Sequence, residues 1–327
     1  MTTSDPTTAP GGVPLSRLVF GGNVLGWTAD QATSFALLDR LADAGQTTID
    51  TADMYSAWGP GHQGGESEAV IGAWLRVRDP SLRERVQIMT KVGKAAPVNP
   101  PPGEGLSPAY IARAIDASLQ RLGTDYVDVY FSHAFDPAVP QADTLGAYAQ
   151  LIQAGKVRAI GASNFSAPQL REALDTAAAH QLPRYSVMQP HYNLIDREGY
   201  DGPLRDLAML EKLAVVPYFS LASGFLTGKY RSADDLAGSP RGAWVQAYLN
   251  PRGLRILAAL DAVAAQHRAQ PGEVALAWLM ARPGVTAPIA SATSIAQLEG
   301  LIRATQLTLT PADIEALDTA SAPDTHG

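Results

Sequence analysis

The amino-acid sequence predicts an α/β protein built as a (β/α)8 TIM barrel, with an N-terminal β-hairpin closing the bottom. Short apolar runs alternate with longer stretches of helical period along the chain, a pattern typical of βα units repeated around a parallel sheet. The length of 327 residues suits one such barrel. An open doubly wound sheet fits the alternation as well. That fold normally has a glycine-rich, phosphate-binding turn after its first strand, and this turn is missing here.

The N-terminal apolar segment decides between these two folds. Phe20–Gly26 is the nearest candidate for the phosphate turn, yet its glycines do not follow the G-x-G-x-x-G spacing, and it precedes the first full βα unit. We therefore interpret Leu15–Phe20 as part of the closing hairpin, in which the glycines need only serve turns.

Seven apolar runs are predicted as strands, and an eighth, short strand is expected before a helix at Glu66–Leu75. Helix is preferred to strand at Ser67–Ala73 because Ala69, Val70 and Trp74 fall on one helical face. The predicted strands are Thr48–Asp50, Val86–Thr90, Val127–Phe131, Ala159–Gly161, Tyr185–Gln189, Val215–Tyr218 and Val285–Ile289.

Helical segments follow the strands, and several begin with Ser, Asp or Pro at cap positions. They are Thr33–Ala44, Ser107–Leu122, Ala142–Ala154, Ala167–His180, Arg205–Lys212, Gly253–Ala269, Pro271–Ala281 and Ile295–Ala304. No linker interrupts this pattern, so residues 13–320 are predicted to form a single domain. Residues 1–12 and 321–327 are rich in small and turn-forming residues and are predicted to be disordered tails.

Composition excludes several classes of protein. The chain has no cysteine, which rules out disulfides, thiolate metal sites and a cysteine nucleophile, and suits a reducing cytoplasm. The net charge of −7 argues against nucleic acid or an anionic membrane as a partner. The start lacks an apolar signal region, and no run reaches the ~20 apolar residues of a membrane span. The six histidines form no close ligand pair, so no metal site is predicted.

Polar residues that follow the barrel strands are the candidates for chemistry, because active sites of barrels lie at the carboxyl ends of the strands. Asp50 ends the first predicted strand, Tyr55 lies in the next loop, Lys91 ends the second run and His133 follows the third. Singly, each could be a helix cap, rim packing, a solvated strand end or a core histidine. Together the four side chains are typical of a general acid, which donates a proton to the substrate, and the groups that support it.

The proposed acid is the phenol of Tyr55. A phenol with a pKa near ~10 donates a proton poorly at neutral pH unless a cation stabilises the phenolate, and Lys91, held by Asp50, could supply that cation. His133 could donate a hydrogen bond to a substrate carbonyl and share the charge on its oxygen.

Several segments then carry a family resemblance. Asp50–Tyr55 followed by Gly65–Glu68, together with Ser118–Asp128 and Gly155–Phe165, resembles the signatures of the aldo-keto reductases. The resemblance extends from Phe20 to about Ile302 and is similar to the aryl-alcohol-dehydrogenase-like branch. It implies a nicotinamide-dependent oxidoreductase in which Tyr55 is the acid and Asp50, Lys91 and His133 support it.

The same resemblance implies a cofactor site across the barrel mouth. Ser163, Asn164 and Gln189 would hold the nicotinamide amide, Tyr218 would stack on the ring, and the loop Tyr218–Lys229 would clasp the pyrophosphate. The full set of implied cofactor residues is Gly22, Asn23, Asp50, Ser163, Asn164, Gln189, Tyr218, Phe219, Ser220, Leu221, Ser223, Gly224, Leu226, Lys229, Arg231, Ser291, Thr293 and Gln297.

The sequence departs from the family pattern in places that bear on the cofactor. Ser220 stands where proline is usual, Ser291 replaces a glycine, and Thr293 lies where some members place a cation. Gly300–Leu301 replaces an acid and an asparagine near the adenine. NADP is the first choice, with Lys229 or Arg231 adding charge, and NAD is the alternative.

The substrate is expected to be a small carbonyl compound, either an aromatic or aliphatic aldehyde, a ketone or a keto-sugar. Trp27, Trp58, Phe135 and Trp244 are the candidate pocket residues.

A regulatory subunit similar to potassium-channel β subunits, which binds the cofactor with little turnover, is the alternative function. A barrel aldolase that uses Lys91 or Lys156 as a Schiff-base amine is disfavoured, because an amine paired with Asp50 is charged. Oligomeric state is left open.

Overall fold

The fold is that of a computed structural model, which describes residues 7–8, 12–94, 105–237 and 242–323. Eight parallel strands form one curled sheet in the order β10-β3-β4-β5-β6-β7-β8-β9. These strands are β3 (Val19–Gly21), β4 (Thr48–Asp50), β5 (Gln87–Val92), β6 (Val127–Ser132), β7 (Val157–Ser163), β8 (Val187–Gln189), β9 (Ala214–Val215) and β10 (Ile289–Ala290).

Backbone hydrogen bonds join the two ends of this sheet. The amide of Thr286 donates to the carbonyl of Val215 at 2.8 Å, and that of Ile289 donates to the carbonyl of Pro217 at 2.9 Å. The sheet therefore curls back on itself, which confirms the predicted barrel.

The N-terminal segment differs in detail from the prediction. A short hairpin is present, but it pairs β1 (Thr7–Thr8) with β2 (Pro14–Leu15), earlier in the chain than expected. Val19–Gly21, which we had assigned in part to the hairpin, is a barrel strand that pairs in parallel with β4 and β10. The missing eighth strand thus precedes the first helix. Leu15 packs against Val19 in the core of the barrel.

Helices cover the outside of the sheet. They are α1 (Gln31–Asp43), α2 (Glu66–Arg76), α3 (Leu82–Arg85), α4 (Pro108–Leu122), α5 (Gln141–Gln153), α6 (Ala167–His180), α7 (Pro203–Leu210), α8 (Gly242–Val245), α9 (Pro251–His267), α10 (Pro271–Ala281), α11 (Ile295–Ala304) and α12 (Pro311–Ser321). Every predicted helix is present, with ends shifted by a few residues. In the described residues no helix is long and apolar enough to span a membrane.

Two predictions about the chain ends are only partly within the described residues. Of the expected N-terminal tail, Thr7–Thr8 lies in a strand, and residues 1–6 and 9–11 are outside the described part. At the other end α12 was not predicted, and it continues to Ser321; residues 324–327 lie outside the description.

Local sequence explains the helix starts that frame the site. Ser107, Ser166 and Ser294 cap α4, α6 and α11, each accepting a hydrogen bond from the backbone three residues later. The barrel interior is filled by apolar side chains such as Met89 and Phe131, which are completely buried. The polar side chains of Asp50 and Gln189 lie at the carboxyl ends of their strands, which is the end where barrel sites lie.

Candidate active site

The centre of the site is a chain of three polar side chains. Lys91, near the end of β5, donates from Nζ to Asp50 Oδ2 at 2.8 Å and to the Thr51 carbonyl at 2.8 Å. The same Nζ lies 3.2 Å from the hydroxyl oxygen of Tyr55. The fold therefore brings together Asp50, Lys91 and Tyr55, the three residues that the proposed acid requires.

The ammonium group of Lys91 is buried together with its partners. Burial alone would lower the pKa of Lys91, but the charge of Asp50, together with the interactions with Tyr55 and the hydrogen bonds to both residues, outweighs burial and raises that pKa above its usual value. The Lys91 side chain is 0% exposed, so its charge is screened little by solvent. A permanent cation therefore faces the phenol.

Tyr55 keeps its proton in this setting. Burial raises the pKa of Tyr55 above 10, and the Lys91 ammonium works against that rise. Desolvation is the larger of these two effects on the pKa of Tyr55. The phenol is therefore protonated at neutral pH, and Lys91 reduces the cost of forming its phenolate.

His133 lies beside the phenol as a neutral imidazole. Its ring centroid is 6.0 Å from that of Tyr55, with an edge-to-face orientation. Burial, followed by the charges of Lys91 and Lys94, holds the pKa of His133 well below its usual range. Its Nδ1 is buried and has no hydrogen-bond partner among the described residues. A buried ring nitrogen without a partner is costly, and the surrounding protein must bear that cost.

A second group of polar side chains extends from Asp50 across the strand ends. Gln189 donates from Nε2 to Asp50 Oδ1 at 2.8 Å, and Ser163 donates to the Gln189 carbonyl at 3.0 Å. Asn164 donates to the His133 carbonyl at 2.9 Å and accepts from the Tyr218 hydroxyl at 2.6 Å. The two groups therefore form one connected network.

These residues line a single cavity of about 710 Å³. The predicted residues that line it are Asn23, Trp27, Asp50, Tyr55, Trp58, His133, Ser163, Asn164, Gln189, Tyr218, Phe219, Leu221, Ser223, Gly224, Lys229, Trp244, Ser291, Thr293 and Gln297. Lys91 lies directly behind Asp50 and Tyr55. A volume of this size suits a small-molecule or cofactor site.

Besides Lys91, five predicted residues do not line the cavity. Ser220 and Leu226 are buried in the protein, and Gly22 lies under the wall, where its carbonyl accepts from Ser67. Arg231 is held away by two hydrogen bonds of 2.8 Å to Asp261. Phe135 packs edge-on against Phe165 at 5.4 Å. The five residues are Gly22, Phe135, Ser220, Leu226 and Arg231.

The loop after β9 contributes Phe219, Leu221, Ser223 and Gly224 to the cavity wall. Phe219, Ala222, Ser223 and Gly224 all have φ between 47° and 96°, in the left-handed region. Two N–H groups are used inside the loop, because that of Ala222 donates to the Phe219 carbonyl at 2.7 Å and that of Gly224 donates to the Leu221 carbonyl at 2.8 Å. The loop that the resemblance assigns to the pyrophosphate therefore borders the cavity.

A close contact shapes the opposite wall. A Cβ atom at Gly21 would lie 2.5 Å from Ser291 Oγ, so a larger residue there would displace that hydroxyl. Ser291 in turn bonds to Asn23 Oδ1 at 2.6 Å. This hydrogen bond connects the segment after β3 with the segment after β10 at the edge of the cavity.

The sequence analysis did not identify several cavity residues that α10 and α11 contribute. Glu273 on α10 and Arg303 on α11 both line the cavity and form an ion pair of 2.6 Å. Thirty residues separate them, so no local pattern could join them. Further lining residues not predicted are Val24, Thr28, Met54, Lys94, Thr227, Tyr230, Gln270, Gly272, Leu276 and Ala296. The described residues contain no cluster of three metal-ligating side chains.

A second buried carboxyl lies next to the site and makes stability depend on pH. Asp53 is 8% exposed, and its Oδ1 has no hydrogen-bond partner among the described residues. Burial and the nearby Glu68 raise the pKa of Asp53 to about 8. The folded protein therefore binds a proton here that the unfolded chain releases above its ordinary pKa near ~4.

We expect this proton to make the protein less stable as pH rises. Its contribution is complete below the unfolded pKa and is lost through about pH 8, with a slope near ~1.4 kcal/mol per pH unit. Asp53→Asn should flatten the dependence of unfolding free energy on pH, measured by urea denaturation between about pH 5 and about pH 8. The exposed Asp175→Asn is the control. Equal slopes in Asp53→Asn and wild type would contradict the assignment.

Comparisons with known proteins agree with this geometry. The profile of the Aldo/keto reductase family matches residues 17–322. The chain belongs to the aldo/keto reductase family. Members of this family are oxidoreductases that use nicotinamide cofactors and act on small-molecule carbonyl compounds.

The relatives align with this chain over most of its length and over most of their own length. Aldo-keto reductase AFTS1 of Alternaria alternata is 32% identical, over 94% of this chain and 89% of its own. Aldo-keto reductase yakc [NADP(+)] of Schizosaccharomyces pombe is 31% identical, over 86% and 80%. A protein of the same yeast, named as a candidate voltage-gated potassium channel subunit beta, is 32% identical, over 86% and 82%.

Proposed function

We propose that this aldo/keto reductase reduces an aldehyde or ketone to an alcohol with NADPH, using Tyr55 as the general acid. The observation that carries the proposal is the buried chain from Asp50 through Lys91 to the protonated phenol of Tyr55, at the edge of the cavity. An aromatic or aliphatic aldehyde, a ketone or a keto-sugar suits the cavity, whose walls include Trp27, Trp58 and Trp244.

The cavity residues fit a nicotinamide dinucleotide. Ser163, Asn164 and Gln189 place amide and hydroxyl groups near Tyr55, the loop at Ser223–Gly224 borders the cavity, and Lys229 adds positive charge. When bound, the reduced nicotinamide supplies the hydride.

The residues of the chain control the proton. Tyr55 donates its hydroxyl proton to the carbonyl oxygen of the substrate as negative charge develops there. Lys91 stabilises the phenolate that remains, and Asp50 holds Lys91 in position. His133, as a neutral donor, orients the carbonyl and shares the charge on its oxygen.

NADP is preferred to NAD on electrostatic grounds. Lys229 lines the cavity, and α11 directs its positive N-terminal end toward the loop at Thr293. Thr293 and Gln297 are bonded to each other there, so hydroxyl and amide groups border this helix end. The relative yakc carries NADP(+) in its name, which supports the same choice.

A regulatory role is the second candidate, because one relative is named as a channel subunit. Both roles allow cofactor binding, so turnover separates them. A catalytically silent subunit would bind the dinucleotide and reduce no carbonyl compound.

The direct test combines binding and turnover. NADPH or NADH is added to the purified protein, binding is followed by quenching of tryptophan fluorescence, and a panel of aldehydes and ketones is screened for loss of reduced-nicotinamide absorbance. We expect turnover with at least one carbonyl class and tighter binding of NADPH. Binding without any turnover would favour the regulatory role, and no binding of either dinucleotide would overturn both proposals.

A further inference from the structure

Lysine side chains are concentrated around the cavity. The chain has five lysines in 327 residues, and three of them belong to the site. Lys91 holds Asp50, whereas Lys94 and Lys229 line the cavity. The protein as a whole carries a net charge of −7. Cations that lie together in a cleft of an acidic protein draw anionic molecules to that cleft.

Among the described residues, the two carboxylates that line the cavity are already paired with cations. Asp50 accepts from Lys91 at 2.8 Å, and Glu273 accepts from Arg303 at 2.6 Å. Lys94, by contrast, forms no ion pair and no hydrogen bond within the part of the chain that the structure describes. Its ammonium group is therefore available to a ligand in the cavity.

Lys94 lies at the catalytic end of the cavity. It follows β5, the strand between β4 and β6, and Tyr55 and His133 follow those two neighbouring strands. After burial and the charge of Lys91, the charge of Lys94 helps to hold the pKa of His133 well below its usual range, so the Lys94 ammonium lies within electrostatic reach of that ring. Lys229 instead lies in the loop after β9, which the resemblance assigns to the cofactor. Lys94 is thus the cation on the side where a carbonyl group would react.

Aromatic side chains border the same end of the cavity. The ring centroid of Trp58 lies 5.4 Å from that of Tyr55 and 5.9 Å from that of Trp27, and all three residues line the cavity. An aromatic wall suits a flat, apolar molecule, and a cation beside it suits one anionic group. A carboxylate, with one negative charge, matches a single ammonium group. A phosphate carries about −1.5 to −2 charges and three strong acceptor oxygens, which is more than one ammonium group satisfies.

We propose that the carbonyl substrates of this protein carry a carboxylate group, which Lys94 binds while the carbonyl group lies at Tyr55 and His133. The carboxylate is unchanged by the reaction, and its contact with Lys94 orients the substrate. Lys94 is exposed, so the contact contributes between the amount of a surface ion pair and that of a hydrogen bond between charged groups. This inference rests on the proposed function, because it names the substrate class of the same site.

The test compares aldehydes that differ by one charge. The meta and para isomers of carboxybenzaldehyde are each paired with their methyl ester, which keeps the aromatic ring and the aldehyde. The measured quantity is the ratio of kcat/KM for the carboxylate to kcat/KM for the ester, with NADPH at saturating concentration. An increase in ionic strength from about 0.02 M to about 0.5 M should lower this ratio in wild type, because salt screens an exposed ammonium group.

Variants at Lys94 assign the preference to this side chain. In Lys94→Met the ratio for at least one isomer should fall about three- to tenfold below that of wild type, mainly through a higher KM for the carboxylate. Comparison of the same ratio in two proteins cancels the different intrinsic reactivity of acid and ester. Lys94→Arg keeps the charge, so its ratio should stay within about twofold of wild type. Lys212→Met is the matched control, because Lys212 is exposed and does not line the cavity, and its loss changes the net charge equally.

The outcomes separate this inference from the proposed function. An unchanged ratio in Lys94→Met for both isomers would overturn the role of Lys94, while turnover of the esters leaves the proposed function intact. An equal fall in Lys212→Met, or in Lys94→Arg, would overturn it as well, because the effect would then not depend on a charge at this position. Preference for para-formylphenyl phosphate over the carboxylates would overturn the choice of carboxylate. If no carbonyl compound is reduced at all, the proposed function fails and the inference fails with it.

Discussion

Replacement of Tyr55 by phenylalanine should lower kcat by about 10²- to 10⁴-fold, the contribution typical of a general acid. Phenylalanine keeps the ring and its edge contacts with Trp58 and His133, and it removes only the hydroxyl. Lys91 retains its bonds to Asp50 and to the Thr51 carbonyl, so the rest of the network should persist. The measurement is steady-state turnover of the best carbonyl substrate from the panel.

The control for this variant separates chemistry from binding. The dissociation constant of the cofactor should stay within about twofold of wild type, because the phenol is not placed among the cofactor-holding groups. Tyr126→Phe, at a tyrosine that does not line the cavity, should leave turnover unchanged. Turnover within about threefold of wild type in Tyr55→Phe would show that another group delivers the proton.

Replacement of Lys91 by methionine should be the most damaging change in the site, because it affects both rate and stability. The substitution leaves the carboxylate of Asp50 buried without its cation, which costs about 3–5 kcal/mol of unfolding free energy. It also removes the charge that stabilises the phenolate, so kcat should fall by at least about 10²-fold. Urea denaturation and steady-state turnover measure the two effects.

A double variant distinguishes these two losses. In Lys91→Met with Asp50→Asn no charge is left unpaired, so much of the lost stability should return while turnover stays low. Lys156→Met is the control for loss of a lysine, since Lys156 pairs with Asp116 at the surface, where ion pairs contribute ~0–1 kcal/mol. Recovery of turnover in the double variant would contradict a role for Lys91 in catalysis.

The clustering of Asp50, Lys91 and Tyr55 was predictable because these residues follow the strands. Asp50, Lys91 and His133 each come at the end of an apolar run, and parallel strands bring their carboxyl ends to one rim. The alternation of runs and helical segments likewise predicted the barrel. The eighth strand was misplaced, since Val19–Gly21 is only three residues long and ends in the glycines that we had read as a turn.

The cavity wall away from the strand ends was less predictable because tertiary contacts decide which residues form it. Arg231 looked available for a phosphate, yet it is bound to Asp261, which lies thirty residues away. Glu273 and Arg303 showed no pattern in the sequence, and only the packing of α10 on α11 joins them. By contrast, α12 carried a readable signal at Thr310 and Asp313, which form a capping box.

The cavity is built from two kinds of scaffold. Asp50 and Lys91 lie on neighbouring barrel strands, whereas Trp27 and Trp58 lie in loops and Trp244 lies on the short α8. Under the proposed function, changes in length or sequence of those surface segments should therefore alter which molecule is accepted without disturbing proton delivery. This separation makes the protein a suitable starting point for directed evolution toward new carbonyl compounds, with libraries confined to the loops.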